Sequence, residues 1–265
     1  MDNFLYGGQS DIGYERENNE DYLGAWELDD TCLLAIIADG TGSKASSLQP
    51  ASICVSDIYD TIKAVFDHDK ELLLNNAELF LKSALDRANR VLGAFKHGNE
   101  ELYAGFASSV TCVLLWGDGN FAFAHAGNTR LYLIRVNKDG IPTIRAITRD
   151  HTVAKELLDK GVLNPSQYYT HPDRLSLTSG LGLITSPEIQ VFEGNIKEND
   201  MLLLTTDGIH YAIKTDAISD LVMQTETCDD ASDILIKAAK SLKYSDNMSA
   251  MLIFRPRSND ASKNS

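Results

Sequence analysis

Carboxylates stand at the ends of apolar runs in four separate parts of this chain. The clearest case is Leu33–Gly42, LLAIIADGTG, where six apolar residues lead into Asp39 and then Gly40. Such a run fits a buried strand. An aspartate at its end is held rigidly at the edge of the core. The glycine after it lets the backbone turn and leaves its carbonyl open to approach. One carboxylate and one carbonyl oxygen are what a hard cation takes. A lone Asp-Gly pair is more often a plain turn, but here the pattern recurs. MLLLTTDG ends on Asp207 and Gly208, NNEDYLGAW sets Glu20 and Asp21 before a strand-like segment, and YSDNMSAMLIF sets Asp246 before the last one. If these strands are neighbours, the carboxylates converge. Without cations they would repel and raise one another's pKa values. The economical expectation is a site for two or more divalent metals.

The chain has 265 residues, 43% of them hydrophobic, with a formal net charge of −14. That is enough to bury a sizeable core. The charge argues against nucleic acid and against an anionic membrane surface as partners. It leaves a phosphorylated substrate open, provided that metals and arginine reverse the sign locally. Four cysteines, Cys32, Cys54, Cys112 and Cys228, show no CxxC spacing. The first three sit in apolar surroundings and read as buried free thiols, so a cytoplasmic location is expected. No signal-peptide pattern and no run long enough to span a membrane is seen. One domain over residues 1–255 is expected, followed by a polar tail, 256–265.

The elements that must position the carboxylates come mostly as strands in runs joined by short turns. Strands are expected at 6–12, 22–26 and 32–38. Ile53, Ile58, Ile62 and Val65 share a helical face after Pro50, and Leu81, Leu85, Ala88, Leu92 and Phe95 share another. SVTCVLLW turns at Gly117-Asp118-Gly119 into NFAFAHAGNTRLYLIRV, which alternates for most of its length. There Phe121 and Phe123 are expected to face one way, with His125 following them. A short helix is expected over 152–160 and an irregular loop over 161–177. An extended piece follows within 186–199, then a strand at 201–206, helices at 215–222 and 229–242, and a closing strand at 248–254. The total is roughly nine or ten strands and four or five helices, with mostly antiparallel pairing. An α+β layered domain with helices covering sheets follows.

In chain order, Arg16-x-x-Asn19-Glu20-Asp21, ADGTG, AHAGNTR, TRDH, LLLTTDG and SDN span Ser10 to Phe254. This series resembles the metal-dependent (PPM-type, 2C-class) serine/threonine phosphatases, in their short bacterial form. The resemblance implies a four-layer α-β-β-α sandwich: two central antiparallel sheets flanked by helix pairs. It implies a binuclear Mn²⁺ or Mg²⁺ centre at one end. Asp39 would bridge the metals, with the Gly40 carbonyl completing one of them and Asp207 and Asp246 holding the other. Asp21 would be a ligand or stand just behind the ligands. Glu20 would orient bound water, and Arg16 would grip the substrate phosphate. An all-oxygen set suits Mg²⁺ or Mn²⁺ better than zinc. Two such ions ~3.5–4 Å apart lower the pKa of a bridging water from ~16 toward neutrality and make it a nucleophile. The implied partners are a phosphoserine or phosphothreonine protein and an opposing serine/threonine kinase, and a monomer is expected. Taken alone, Arg16 is a surface arginine paired with Glu15 or Glu20.

The chain departs from the family pattern at several points. Gly127-Asn128-Thr129-Arg130 stands where the family has Gly-Asp-Ser-Arg, whose aspartate helps to bind a third, weaker metal. Asn128 offers an amide oxygen without charge, so that third position is expected to be weak or absent. Thr41 stands where some relatives carry a histidine and is not expected to act as an acid. Ser43 replaces a glycine of the loop. Lys44 follows Ser43, so Gly40–Ser46 does not make a phosphate-binding GxxxxGK[ST] loop. His125 and His151 read as structural and His210 as a less favoured neighbour of the site. The flap over 162–177, with Tyr168, Tyr169 and His171, is placed to grip a protein substrate. Two alternatives remain open. One is a binding or regulatory module of the same fold with low turnover. The other is a hydrolase of small phosphoesters.

Overall fold

The apolar runs pair into two five-stranded antiparallel sheets in the computed structural model, which describes residues 4–42, 48–99 and 101–257. Ser43, Lys44 and most of the expected polar tail lie outside the described residues. The first sheet runs β1 (Leu5–Asp11), β10 (Met248–Phe254), β9 (Met201–Thr205), β6 (Arg130–Val136) and β7 (Pro142–Ala146). The second runs β2 (Asp21–Asp29), β3 (Cys32–Thr41), β4 (Ala107–Trp116), β5 (Asn120–Ala126) and β8 (Gln190–Asn195). Helices α1 (Pro50–His68) and α3 (Ala77–Lys96), joined by the short α2 (Lys70–Asn75), cover the second sheet. Helices α7 (Thr215–Val222) and α8 (Cys228–Ser241) cover the first. The result is the four-layer α-β-β-α order.

Three interfaces between four layers need three apolar cores. One lies between α1–α3 and the second sheet, around Ile36, Ile58 and Leu85. Another lies between α7–α8 and the first sheet, around Leu203 and Leu235. The third lies between the sheets, where Leu33, Ala35 and Ile37 of β3 meet Leu202, Leu204 and Met251. Because side chains alternate along a strand, this inter-sheet face can be followed to its end. On β3 it passes from Leu33, Ala35 and Ile37 to Asp39. On β5 it passes from Phe121 and Phe123 to His125, as expected, and on β10 from Ile253 and Met251 to Ser249. At one end of the sandwich the core between the sheets thus turns from apolar to polar on strand after strand.

Two expectations need correction. The stretch Asn120–Val136 is not one alternating strand. It is β5 in one sheet and β6 in the other, and the chain crosses between the sheets at Gly127-Asn128-Thr129. Both faces of β5 are covered, so burial does not alternate along it. The segment 161–177 is not irregular throughout. It holds α5 (Pro165–Thr170) and a single 3-10 turn, Pro172–Arg174, after α4 (Val153–Asp159). The start of α5 is well determined. Asn164 accepts from the Gln167 backbone N–H at 3.0 Å, the Gln167 side chain accepts from the Asn164 backbone N–H at 2.9 Å, and Pro165 supplies the fixed φ. The four-residue α6 (Asp207–His210) was also not foreseen.

Candidate metal centre

The two DG runs end side by side at the polar end of the sandwich. Asp39 sits at the end of β3, and its register partner on β2 is Asp21, the first residue of that strand. Asp207 opens α6 directly after β9, and Asp246 lies two residues before β10. Arg16, Glu20, Asp39, Gly40, Asn128, Asp207 and Asp246 all line one cavity of about 220 Å³. Thr41, Ser109, Asn247, Leu175 and Leu177 complete its wall. Asp21 does not reach the wall. It is buried behind it, and its Oδ2 accepts from Thr206 Oγ1 at 2.8 Å and Ser249 Oγ at 2.7 Å.

Close backbone approach explains the glycines here. A Cβ on Gly208 would meet the carbonyl oxygen of Asn247 at 1.9 Å, so the Asp207 and Asp246 segments pack together only with glycine there. Gly127, at φ +109°, lets the crossover turn while its missing Cβ leaves room for Ser109.

The electrostatics show carboxylates short of countercharge. Burial pushes Asp39 well above the usual carboxylate range, and Asp207, Asp21 and Asp246 push it further. Burial also lifts Asp21 and Asp207 to about 7, with Asp246 adding to both. Asp246 is paired with Arg16, whose Nη2 lies 2.7 Å from Oδ1 and whose Nε donates to the Ser245 carbonyl at 3.3 Å. The ion pair of Arg16 is thus with Asp246, and the Glu20 and Asp39 carboxylates also act on its charge. Asn128 donates from Nδ2 to Asp207 Oδ2 at 3.0 Å, and its Oδ1 accepts from Ser109 Oγ at 2.8 Å. Its charge-free amide therefore presents a donor to the carboxylate cluster.

The donor chemistry of the wall is carboxylate and carbonyl oxygen, which fits Mg²⁺ or Mn²⁺. Among the described residues, no histidine or cysteine lines the cavity. Among the described residues, however, no three His, Cys, Asp or Glu side chains are drawn together around one point as they would be by an ion. The shared cavity and the raised carboxylate pKa values are what the geometry shows.

Several neighbours have other work. Asn247 escaped the sequence reading, although it stands inside SDN. Its Oδ1 accepts from the Glu20 N–H at 2.9 Å, and its Nδ2 donates to the carbonyls of Ile12 and Asn18 at 2.9 and 3.0 Å. It thereby pins the loop that carries Arg16 and Glu20. His125 is buried and bonded through Nδ1 to Thr111 at 2.9 Å, and burial takes its pKa down to about 3. His151 accepts at Nδ1 from the Gly127 N–H at 3.1 Å and braces the crossover. His210 lies buried behind Asp207 with Nδ1 2.9 Å from Thr205 Oγ1, away from the cavity wall. Tyr168 of the flap is not a free substrate grip: it is buried, and it donates to Asp150 Oδ2 at 2.6 Å. Tyr169 is half exposed.

A larger cavity, about 690 Å³, opens at the other end of β1 and β10. Phe4, Met201, Leu252 and Phe254 line it, and none of the expected site residues reaches it.

The sequence profile of the family described as protein phosphatase 2C matches residues 12–252. A serine/threonine phosphatase stp of Listeria welshimeri is 24% identical over 93% of this chain and 94% of its own length. Protein phosphatase PhpP of Streptococcus pneumoniae is 27% identical over 92% and 94%. Among solved structures, the serine/threonine phosphatase of S. agalactiae superposes with a TM-score of 0.81 at 23% identity, covering 95% of this chain and 99% of that one. The catalytic domain of the phosphatase PstP, solved with two manganese ions, superposes at 0.77 and 22% identity, covering 96% and 99%.

Proposed function

The chain belongs to the protein phosphatase 2C family, and from that premise we propose that it hydrolyses phosphoserine and phosphothreonine on proteins with a binuclear Mn²⁺ or Mg²⁺ centre. The observation that carries this reading is the cavity in which Asp39, Asp207 and Asp246 meet from three distant segments. Asp39, with the Gly40 carbonyl, and Asp207 with Asp246 would hold the ions. Asp21, held by Thr206 and Ser249, would keep its charge just behind them. Bound there, the ions supply charge for the phosphate oxygens and lower the pKa of a water. Glu20 lies on the wall to orient that water. Arg16 presents a planar fork suited to phosphate, at the mouth of the cavity and beside Asp246. The reading extends to a monomer acting as one domain over 1–255, opposing a serine/threonine kinase. Its four free cysteines, all buried, suit the reducing cytoplasm. Among the described residues no helix is long and apolar enough to cross a membrane.

The test is hydrolysis of a phosphothreonine peptide with Mn²⁺, beside a panel of small phosphate esters. Turnover of the peptide is expected, and it is lost with EDTA and in Asp207→Asn. Turnover of small esters alone would move the assignment to a small-molecule hydrolase. No turnover across a wide Mn²⁺ range would overturn the enzyme reading. A second reading, a domain that binds phosphoproteins and turns them over slowly, is favoured by one observation: the Asn128 amide stands against Asp207 where the family has a carboxylate.

A further inference from the structure

Leu175 and Leu177 of the flap form part of the wall that the carboxylates line. The far side of that short segment is sewn to the core: Leu177 bridges to Thr152, Val153 N–H donates to Ser176 O at 2.9 Å, and Thr178 N–H donates to His151 O at 2.9 Å. The near side, at Arg174, is held differently. Tyr211 OH donates to the Arg174 carbonyl at 3.0 Å. Two guanidinium groups approach the Tyr211 ring, with Arg130 5.4 Å and Arg174 5.9 Å from its centroid. Its hydroxyl is 3.2 Å from Tyr168 OH, and Tyr168 in turn donates to Asp150. Tyr211 is also the residue that caps α6, and its N–H donates to the Asp207 carbonyl at 3.0 Å. One side chain therefore joins the helix that begins with Asp207 to the last residue before the Leu175–Leu177 wall.

We propose that Tyr211 is a positioning residue that holds this flap wall in register with Asp207, so that an extended phosphopeptide meets a preformed surface. The proposal rests on the phosphatase reading for its substrate but not for its mechanical part. The Tyr211 hydroxyl stays a donor through the neutral range, because burial and the Asp150 carboxylate keep its proton on. A hydroxyl that only filled a hydrogen-bonding need in the core would leave the flap's opening and the peptide's KM untouched when removed.

Tyr211→Phe separates these outcomes, since it keeps the ring and its two guanidinium contacts and removes only the hydroxyl. Amide hydrogen exchange over residues 172–177 is expected to speed about tenfold, the scale of one net hydrogen bond, while exchange within β4 stays as in the parent. With the phosphothreonine peptide and Mn²⁺, KM is expected to rise about five- to tenfold, with kcat held within about twofold. Unchanged exchange over 172–177 overturns the coupling whatever the activity. Faster exchange with an unchanged KM overturns the role in substrate binding. If the parent protein itself hydrolyses no peptide, the phosphatase reading fails separately, and the exchange comparison still decides whether Tyr211 holds the flap.

Discussion

Two buried charge clusters lie at the same end of this sandwich, and they are built on opposite terms. Arg130 and Asp150 form a closed pair: Nε to Oδ1 at 2.8 Å, Nη2 to Oδ2 at 2.6 Å, with the hydroxyls of Tyr132 and Tyr168 each 3.0 Å from the guanidinium. Burial alone would raise the Asp150 carboxyl, but Arg130 holds it below the usual carboxylate range. Asp21 has two hydroxyl partners and Asp207 an amide, Arg16 acts on Asp39 and Asp207, and all three carboxyls are still driven upward. The clusters touch in sequence: Asn128 faces Asp207, and Arg130, two residues on, faces Asp150. A fold does not need the open cluster for its own stability. The closed cluster is a frame, and on the proposed reading the open one is negative charge that bound cations would offset.

The sharpest way to break this contrast is to remove one member from each cluster. Arg130→Ala leaves Asp150 buried without its partner and is expected to cost about 3–5 kcal/mol, read as the denaturant midpoint with and without Mn²⁺. Asp39→Asn removes repulsion, so the metal-free midpoint should hold or rise. Turnover should fall beyond the ~100-fold typical of losing a group behind a metal ligand. If Asp39→Asn unfolds the metal-free protein as readily as Arg130→Ala does, the two clusters are not different in kind.

The clusters should also answer pH in opposite senses. Asp21 and Asp207 have raised native pKa values, about 7, against unfolded values near 4. Their contribution is fully present below the unfolded value and is lost as pH rises toward 7. Asp150, with its pKa depressed, contributes above the unfolded value, and that contribution is lost only as pH falls below about 4. Urea midpoints of the metal-free protein should therefore decline from about pH 4 to about pH 7 and level off toward pH 8, and saturating Mn²⁺ should flatten the decline. A metal-free profile that climbs steadily to pH 8 would contradict the open cluster.

The smallest effect is expected at the seam. Asn128→Asp exchanges an amide donor for another carboxylate against Asp207. Metal-free stability should drop by less than in Arg130→Ala, and Mn²⁺ should recover it. A gain in turnover would name Asn128 as the limit on activity. Tighter Mn²⁺ binding without any gain in turnover would favour the slow binding domain.

The carboxylates could be foreseen because each flanks a recognisable apolar run, Asp39 and Asp207 after one and Asp246 before one, and a charge at the edge of a buried strand is a visible event in one dimension. Asp39, Asp207 and Asp246 were found that way, and so were the sheets that carry them. The crossover at Gly127–Thr129 was hidden because β5 is covered on both faces, which erases the alternation that would have marked its end. The flap helix was hidden because its six residues bury one side chain, Tyr168, too little for a period to show. The Asn247 side chain and the Tyr211 hydroxyl are bonded to backbone groups distant in the chain. Their partners, Ile12, Asn18 and Arg174, are settled only by the finished fold.

The register of β1 against β10, Leu5 opposite Phe254, carries one more consequence. Among the described strands, β1 comes earliest in the chain and its one partner, β10, comes latest. Asp246, two residues before that strand, arrives with it. A nascent chain on the ribosome can complete its second sheet and the helices over it early, yet it has no closed first sheet and no assembled acidic cavity. Until β10 is in place, the first sheet lacks the strand that joins β1 to β9, and the acidic cavity lacks Asp246.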